Sequence, residues 1–169
     1  MKISGRAVVF NCNDICTDEI YPGPYVNLTD PAEIAEHVLE GADKTLKQRF
    51  KTVGDILVTG SNFGCGSSRE QAVIAIKESG VKAVIADSVG RIWYRNAINL
   101  GLPVLICPGL AGVLVEGDDI EIDLQQGTVK EVNTGTVHRG EPISDFVLQM
   151  LELGGLKALM LNKRGNTDD

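Results

Sequence analysis

The stretch DILVTGSNFGCGSSREQAVIAIK, residues 55–77, decides the fold reading. Asp55–Thr59 is an apolar run of strand length, and Ala72–Lys77 reads as a helix that Gly80 closes. Between them lies a turn containing Gly60, Gly64 and Gly66 and ending in Ser67, Ser68 and Arg69. Glycine lets the backbone approach a ligand because no Cβ intervenes. A helix start offers unpaired N–H groups and a partial positive charge, both of which attract anions. Two hydroxyls and a guanidinium at that place point to a carboxylate or phosphate site. A plainer reading competes with this one. Ser67-x-x-Glu70 and Ser68-x-x-Gln71 are both capping-box patterns. Only one serine can cap, so the other serine, the glycines and the arginine exceed what capping requires.

Named nucleotide and hydrolase motifs do not fit. The turn has no lysine for a phosphate loop, Arg69 stands where a GxGxxG pattern starting at Gly64 needs its third glycine, and GxSxG does not occur here.

Outward from the turn, Val81–Ala86 and Leu102–Cys107 are further apolar strands, with helices at 69–79 and 90–100 between them. Apolar strands alternating with helices imply parallel pairing with both faces covered. Upstream, Arg6–Phe10 reads as a first strand, followed by a polar loop over 11–29 with Pro22-Gly-Pro24. A loop that long inside a compact domain is usually functional. Asp30 as N-cap, Pro31 at the first helical position and Glu33 at the third start a helix to about Glu40, and 43–50 adds a shorter one. Downstream the period changes to two: Asp119–Leu124, a Gln125-Gln-Gly127 turn and Thr128–Val132 form an antiparallel hairpin with one wet face. Pro142 precedes an amphipathic helix over 144–153 with Phe146, Val147, Met150 and Leu151 as its core stripe, and 162–169 reads as a flexible tail. The whole, residues 1–169, reads as one α/β domain.

A net charge of −7 leaves no basic excess to replace counterions on phosphates, which argues against nucleic acid as a partner. Apolar stretches are strand-sized, so no membrane span is expected. The opening Met-Lys-Ile-Ser-Gly-Arg lacks the apolar core of a signal peptide, so a cytoplasmic location is expected. Cys12, Cys16, Cys65 and Cys107 show no zinc or iron–sulfur spacing. Cys107 reads as a buried small hydrophobe, and Cys12 and Cys16 as candidates to join a shared site. No metal is expected on this chain.

GSNFGCGSSREQA resembles the signature of the swivel domain of the aconitase superfamily in its free-standing form, the small subunits of isopropylmalate isomerases (3-isopropylmalate dehydratases). Asp14–Ile20 and Val89–Pro103 are similar to two further motifs of that family, in the same order. The resemblance implies a mixed, partly barrel-like β layer flanked by helices, and a hydro-lyase of leucine biosynthesis that interconverts 2- and 3-isopropylmalate by dehydration and rehydration. It assigns the base to Ser67, acting as alkoxide, and an orienting role to Asp18. Arg69 is expected to clamp a substrate carboxylate, with Ser68 as helix cap and secondary substrate contact. The resemblance turns Tyr25, Val26, Asn27 and Leu28 toward the variable end of the substrate. They include apolar side chains and no arginine, which favours an apolar substituent over the extra carboxylate of homoaconitate; dimethylmalate-type substrates stay open. It also implies an iron–sulfur large subunit as partner, carrying the [4Fe–4S] cluster that this chain lacks, while self-association of the isolated chain stays open. Gln71 and Cys16 depart from the family pattern, which commonly has histidine and aspartate there. His37 and His138 read as structural. A stand-alone carboxylate-binding module and a purely structural subunit are the competing readings.

Overall fold

Residues 1–165 are described by a computed structural model. Seven strands, β1 (Lys2–Phe10), β2 (Ile56–Thr59), β3 (Ala83–Ala86), β4 (Val104–Ile106), β5 (Asp119–Asp123), β6 (Thr128–Glu131) and β7 (Val137–Arg139), form one mixed sheet in the order β4-β3-β2-β1-β5-β6-β7. The sheet curls as a half-barrel flanked by helices, the architecture the resemblance implied. The helices are α1 (Thr17–Ile20), α2 (Pro31–Ala35), α3 (Leu46–Thr52), α4 (Gln71–Glu78), α5 (Arg91–Asn99), α6 (Asp145–Glu152) and α7 (Leu156–Gly165). None of the described helices is long and apolar enough to cross a membrane.

The four parallel strands are buried on both faces because alternate side chains enter two separate cores. Val8, Leu57, Val84 and Val104 face a core built with Ile20, Ile34, Ala72, Ile76 and Trp93. Ala7, Ile56, Val58, Ile85 and Leu105 face a second core closed by Leu110, Leu114, Leu148, Met150 and Leu159. Every position of β2 and β3 is buried, which is why these runs are continuously apolar. Burying one such side chain stabilises by about 1.5–3 kcal/mol. The antiparallel strands obey another rule. In β5, Ile120 and Ile122 point inward while Asp119 and Glu121 stay exposed.

β1 joins the two regimes. Ala7–Phe10 pairs in parallel with Ile56–Thr59, and Lys2–Arg6 pairs antiparallel with Asp119–Asp123. Where the two partners diverge, Glu116 accepts the Val9 N–H at 2.7 Å and Arg49 donates to the Val9 carbonyl at 2.7 Å. Arg49 grips Glu116 with two further bonds of 2.8 Å. An open strand edge is thereby satisfied by side chains.

Several expected boundaries move. β1 starts four residues before the expected Arg6, because Lys2–Gly5, with Ile3 as its one apolar side chain, is held by the ladder with β5 rather than by burial on both faces. The 11–29 loop contains α1 and a single 3-10 turn at Gly23–Tyr25. The helix expected over 30–40 stops at Ala35. Leu39 takes a φ of +54°, and its N–H donates to the Ile20 carbonyl at 2.7 Å, ending helical progress in favour of contact with α1. The C-terminal stripe also shifts: Leu148, Met150 and Leu151 are buried, whereas Phe146 is 56% exposed. The hairpin gains the third strand β7, and 162–165 of the expected tail are helical within α7, while 166–169 lie outside the described residues.

Candidate functional site

Beyond the carboxyl ends of β1 and β2, the two chains keep running side by side. Gly60 N–H donates to the Cys12 carbonyl at 3.2 Å, Asp14 N–H to Ser61 at 2.9 Å, Gly64 N–H to Ile15 at 2.8 Å, and Thr17 N–H to Cys65 at 2.8 Å. Cys16 and Cys65 face each other as an isolated parallel bridge. Side chains reinforce the pairing: Asn13 accepts the Ser61 N–H, and Asn62 donates to the Asp14 carboxylate, each at 2.8 Å. On its other flank the turn is held by Ser88, whose hydroxyl accepts the Asn62 N–H at 2.8 Å. The glycine turn is thus a stitched extension of the sheet at its carboxyl end, the usual place for ligands in open α/β sheets.

Glycine is required at position 64. Its φ is +75°, and a Cβ would overlap the Trp93 indole. Trp93 meets Phe63 edge to face with centroids 5.1 Å apart, and its buried Nε1 has no hydrogen-bond partner among the described residues. A cleft of about 650 Å³ adjoins the turn, lined by Asn62, Gly64, Cys65, Gly66, Arg91 and Arg95 among others.

The two motifs meet at Ser67. Its Oγ lies 2.9 Å from Thr17 Oγ1, and its N–H donates to the same Thr17 oxygen at 3.1 Å. Thr17 is 1% exposed, whereas Ser67 and Ser68 are open to solvent. α4 begins only at Gln71 and takes no side-chain cap, so neither capping box forms and the expectation of Ser68 as cap is corrected. The reason is tertiary. Thr17, 50 residues away in sequence, holds the Ser67 N–H and hydroxyl outside the first helical turn. Ser68 contributes its carbonyl, which accepts from Asn96 at 3.3 Å.

Arg69 is mostly buried, and its Nη1 lies 2.6 Å from Asp18 and donates to the Tyr21 carbonyl at 2.7 Å. A cation ahead of a helix start opposes the dipole, and Asp18 is the anion that compensates it. A guanidinium carries five N–H donors, so donors remain for a second carboxylate. Burial pushes the Tyr21 hydroxyl up, partly offset by the Arg69 charge. The same hydroxyl donates to the Tyr25 carbonyl at 2.8 Å, tying the 22–29 loop to α1.

That loop approaches the start of α4, where Gln71 donates to the Val26 carbonyl at 3.2 Å. Val26 and Asn27 are exposed, Leu28 packs on the core, and Tyr25 stacks on His37 with centroids 3.5 Å apart. His37 in turn pairs with Glu40 at 2.7 Å, and His138 with Glu131 at 2.6 Å. Ser67, Arg69, Asp18 and the loop therefore converge from three segments, 17–21, 25–28 and 64–71. Sequence reasoning missed Thr17. It sits inside the quoted Asp14–Ile20 motif, but only the fold reveals the serine opposite it.

Among the described residues no three His, Cys, Asp or Glu side chains form a group that could hold a metal ion. Cys12 is exposed, Cys16 and Cys65 are half-buried, and Cys107 is buried at the end of β4. These residues do not fit an iron–sulfur cluster.

The family described as Aconitase C-terminal domain matches residues 12–108, the span that holds every residue of this site. The chain is 48% identical over 158 residues to 3-isopropylmalate dehydratase small subunit 1 of Methanopyrus kandleri, covering 94% of this chain and 92% of that one. It is 44% identical over 161 residues to the isopropylmalate/citramalate isomerase small subunit of Methanocaldococcus jannaschii, covering 95% of each. The crystal structure of a 3-isopropylmalate dehydratase (leuD) from Methanocaldococcus jannaschii superposes with a TM-score of 0.89 at 43% identity, covering 99% of this chain and 98% of that one.

Proposed function

The chain belongs to the aconitase C-terminal domain family, and from that premise we propose that it is the small subunit of a two-subunit hydro-lyase that interconverts 2- and 3-isopropylmalate in leucine biosynthesis. The observation that carries the reading is the meeting of Ser67 with Thr17 beside the Arg69–Asp18 pair. Isomerisation by loss and return of water needs a base beside a carboxylate, a cation for that carboxylate, and help for the departing hydroxide.

In this reading Ser67 Oγ takes the proton. A serine hydroxyl is a weak acid, so its anion needs donors, and Thr17 O–H, 2.9 Å away, is placed to be one. Arg69 turns its free donors to a substrate carboxylate, and Asp18 fixes the guanidinium. Val26 and Asn27, exposed on the loop and uncharged, meet the variable substituent, an isopropyl group. Ser68, exposed next to Ser67 in the chain, is a secondary contact, with Tyr25 and Leu28 holding the loop in place. A [4Fe–4S] cluster held by the partner large subunit would supply the Lewis acid for the departing hydroxide. A site without a charged specificity residue also suits the smaller methyl group of citramalate, the second substrate in one relative's name.

Reconstitution tests this. The purified chain alone should be inactive, and turnover of isopropylmalate should appear on adding the large subunit. Full turnover by Ser67→Ala in that mixture would sink the assignment of the base.

A further inference from the structure

We propose that Cys16 and Cys65 form a reversible disulfide when the chain meets hydrogen peroxide, and that this bond switches off the Ser67 site. The bridge geometry carries the chemistry. Cys16 and Cys65 are direct partners across an isolated parallel bridge, pinned on either side by the 2.8 Å bonds of Gly64 to Ile15 and of Thr17 to Cys65. Direct partners on adjacent strands lie about 4.8 Å apart at Cα and project from the same side of the ladder. A disulfide spans about 4.4–6.8 Å between Cα atoms, so the pair is within range. Both thiols are free and only half-buried, so a small oxidant reaches either, and Cys65 also lines the cleft beside the turn. Cys12 is exposed and Cys107 is buried, and neither faces another cysteine across a bridge.

Cys16 Sγ attacks one oxygen of hydrogen peroxide, the O–O bond breaks, and a sulfenic acid and one water result. Cys65 Sγ then attacks the Cys16 sulfur, the S–O bond breaks, and the hydroxide leaves with the Cys65 proton as a second water. Two thiols are oxidised and one peroxide is reduced. Burial and the nearby Cys16, Asp14 and Glu19 push the Cys65 thiol up, which disfavours it as the first attacker on peroxide. A thiol reductant reverses the bond by exchange.

The effect on the site follows from sequence adjacency. Cys16 precedes Thr17, and Cys65 lies two residues before Ser67. Closing a disulfide brings the Cβ atoms to about 3.8 Å, about 1 Å nearer than the strand spacing. That pulls on the segments carrying the Thr17 and Ser67 hydroxyls, and a misplacement of about 1 Å at a reacting group can cost about a hundredfold in rate. This second half rests on the proposed function; the cross-link itself does not.

The test oxidises the full-length chain alone, removes peroxide with catalase, and maps peptides without reduction. The expected product links the Cys16 and Cys65 peptides with the loss of two hydrogens, and dithiothreitol reverses it. Cys16→Ser and Cys65→Ser, each checked for fold by circular dichroism, should abolish the link, while Cys12→Ser and Cys107→Ser should retain it. Trp93, the only tryptophan, packs against Gly64 and should report the cross-link as a fluorescence change. Sulfinic acid without a cross-link, or a link through Cys12, overturns the chemistry. Mixing the oxidised chain with untreated large subunit should give about a hundredfold lower turnover, restored by dithiothreitol. An intact cross-link with unchanged turnover overturns the switch. Loss of the Ser67 assignment would appear separately, as an active Ser67→Ala enzyme whose cross-link still forms.

Discussion

The parallel and antiparallel halves of the sheet share β1 yet follow different rules. In the parallel half, neighbouring positions Leu57 and Val58 are both fully buried, one in each core. In the antiparallel half, Ile122 is buried and its neighbour Glu121 is exposed. All the site residues belong to the parallel half, and the family match stops at residue 108, before β5 begins. The half enclosed on both faces gives the glycine turn a rigid base. The half with a wet face completes the second core and is free to vary outside.

The sharpest way to break this contrast is at the site itself. Ser67→Ala should lower kcat by about 10²–10⁴ in the reconstituted enzyme, the range for losing a positioned base. Its thermal midpoint should stay near wild type because the side chain is exposed. A large drop in Tm would recast Ser67 as structural. Gly64→Ala should cost about 2–5 kcal/mol, combining a disfavoured φ with overlap of Trp93. Urea denaturation measures it, and a neutral result would show that the turn is not seated on the indole as described.

Paired substitutions sharpen the difference between the halves. Leu57→Ala should cost about 2–5 kcal/mol and Val58→Ala about 1.5–3, so both neighbours matter on β2. On β5, Ile122→Ala should cost about 2–5 kcal/mol while Glu121→Ala stays within about 0.5. Equal losses at Glu121 and Ile122 in chemical denaturation would erase the distinction.

The smallest effect belongs to the seam. The Arg49 guanidinium and the Val9 N–H hold the Glu116 carboxyl below the usual carboxylate range. A carboxylate with a lowered folded value contributes stability that is present above its unfolded pKa and lost as pH falls through the folded one. Glu116→Gln should cost about 1 kcal/mol at neutral pH, discounted for partial exposure. It should also flatten the loss of stability on acidification below about pH 4.3. An unchanged acid limb in melts across that range would remove Glu116 from the seam's energetics.

Much of this plan is legible in the sequence where local and global preferences agree. The apolar runs at 56–59 and 83–86 announce doubly covered strands, and the alternation at 119–123 announces a wet face. Legibility ends where a distant partner overrides a local pattern. Two capping boxes predicted a helix starting at the serines, but Thr17 engages Ser67 and the helix waits until Gln71. The helix expected to reach Glu40 yields at Leu39 to the carbonyl of Ile20. Lys2–Gly5, with one apolar side chain, gives no strand signal because its order comes from the ladder with β5. The motif residues Ser67, Arg69 and Asp18 could be marked from sequence, but the ion pair between two of them could not.

The Thr17–Ser67 contact also has a kinetic meaning. It joins residues separated by 50 positions, so the loop between them must be closed before the contact can form. Contacts of high sequence separation form slowly relative to local helices and hairpins. During synthesis the serine emerges long after the threonine, and the bond between them waits for β1 and β2 to dock. A chain released before that docking has no aligned hydroxyl pair, so the pocket matures only as the parallel half closes.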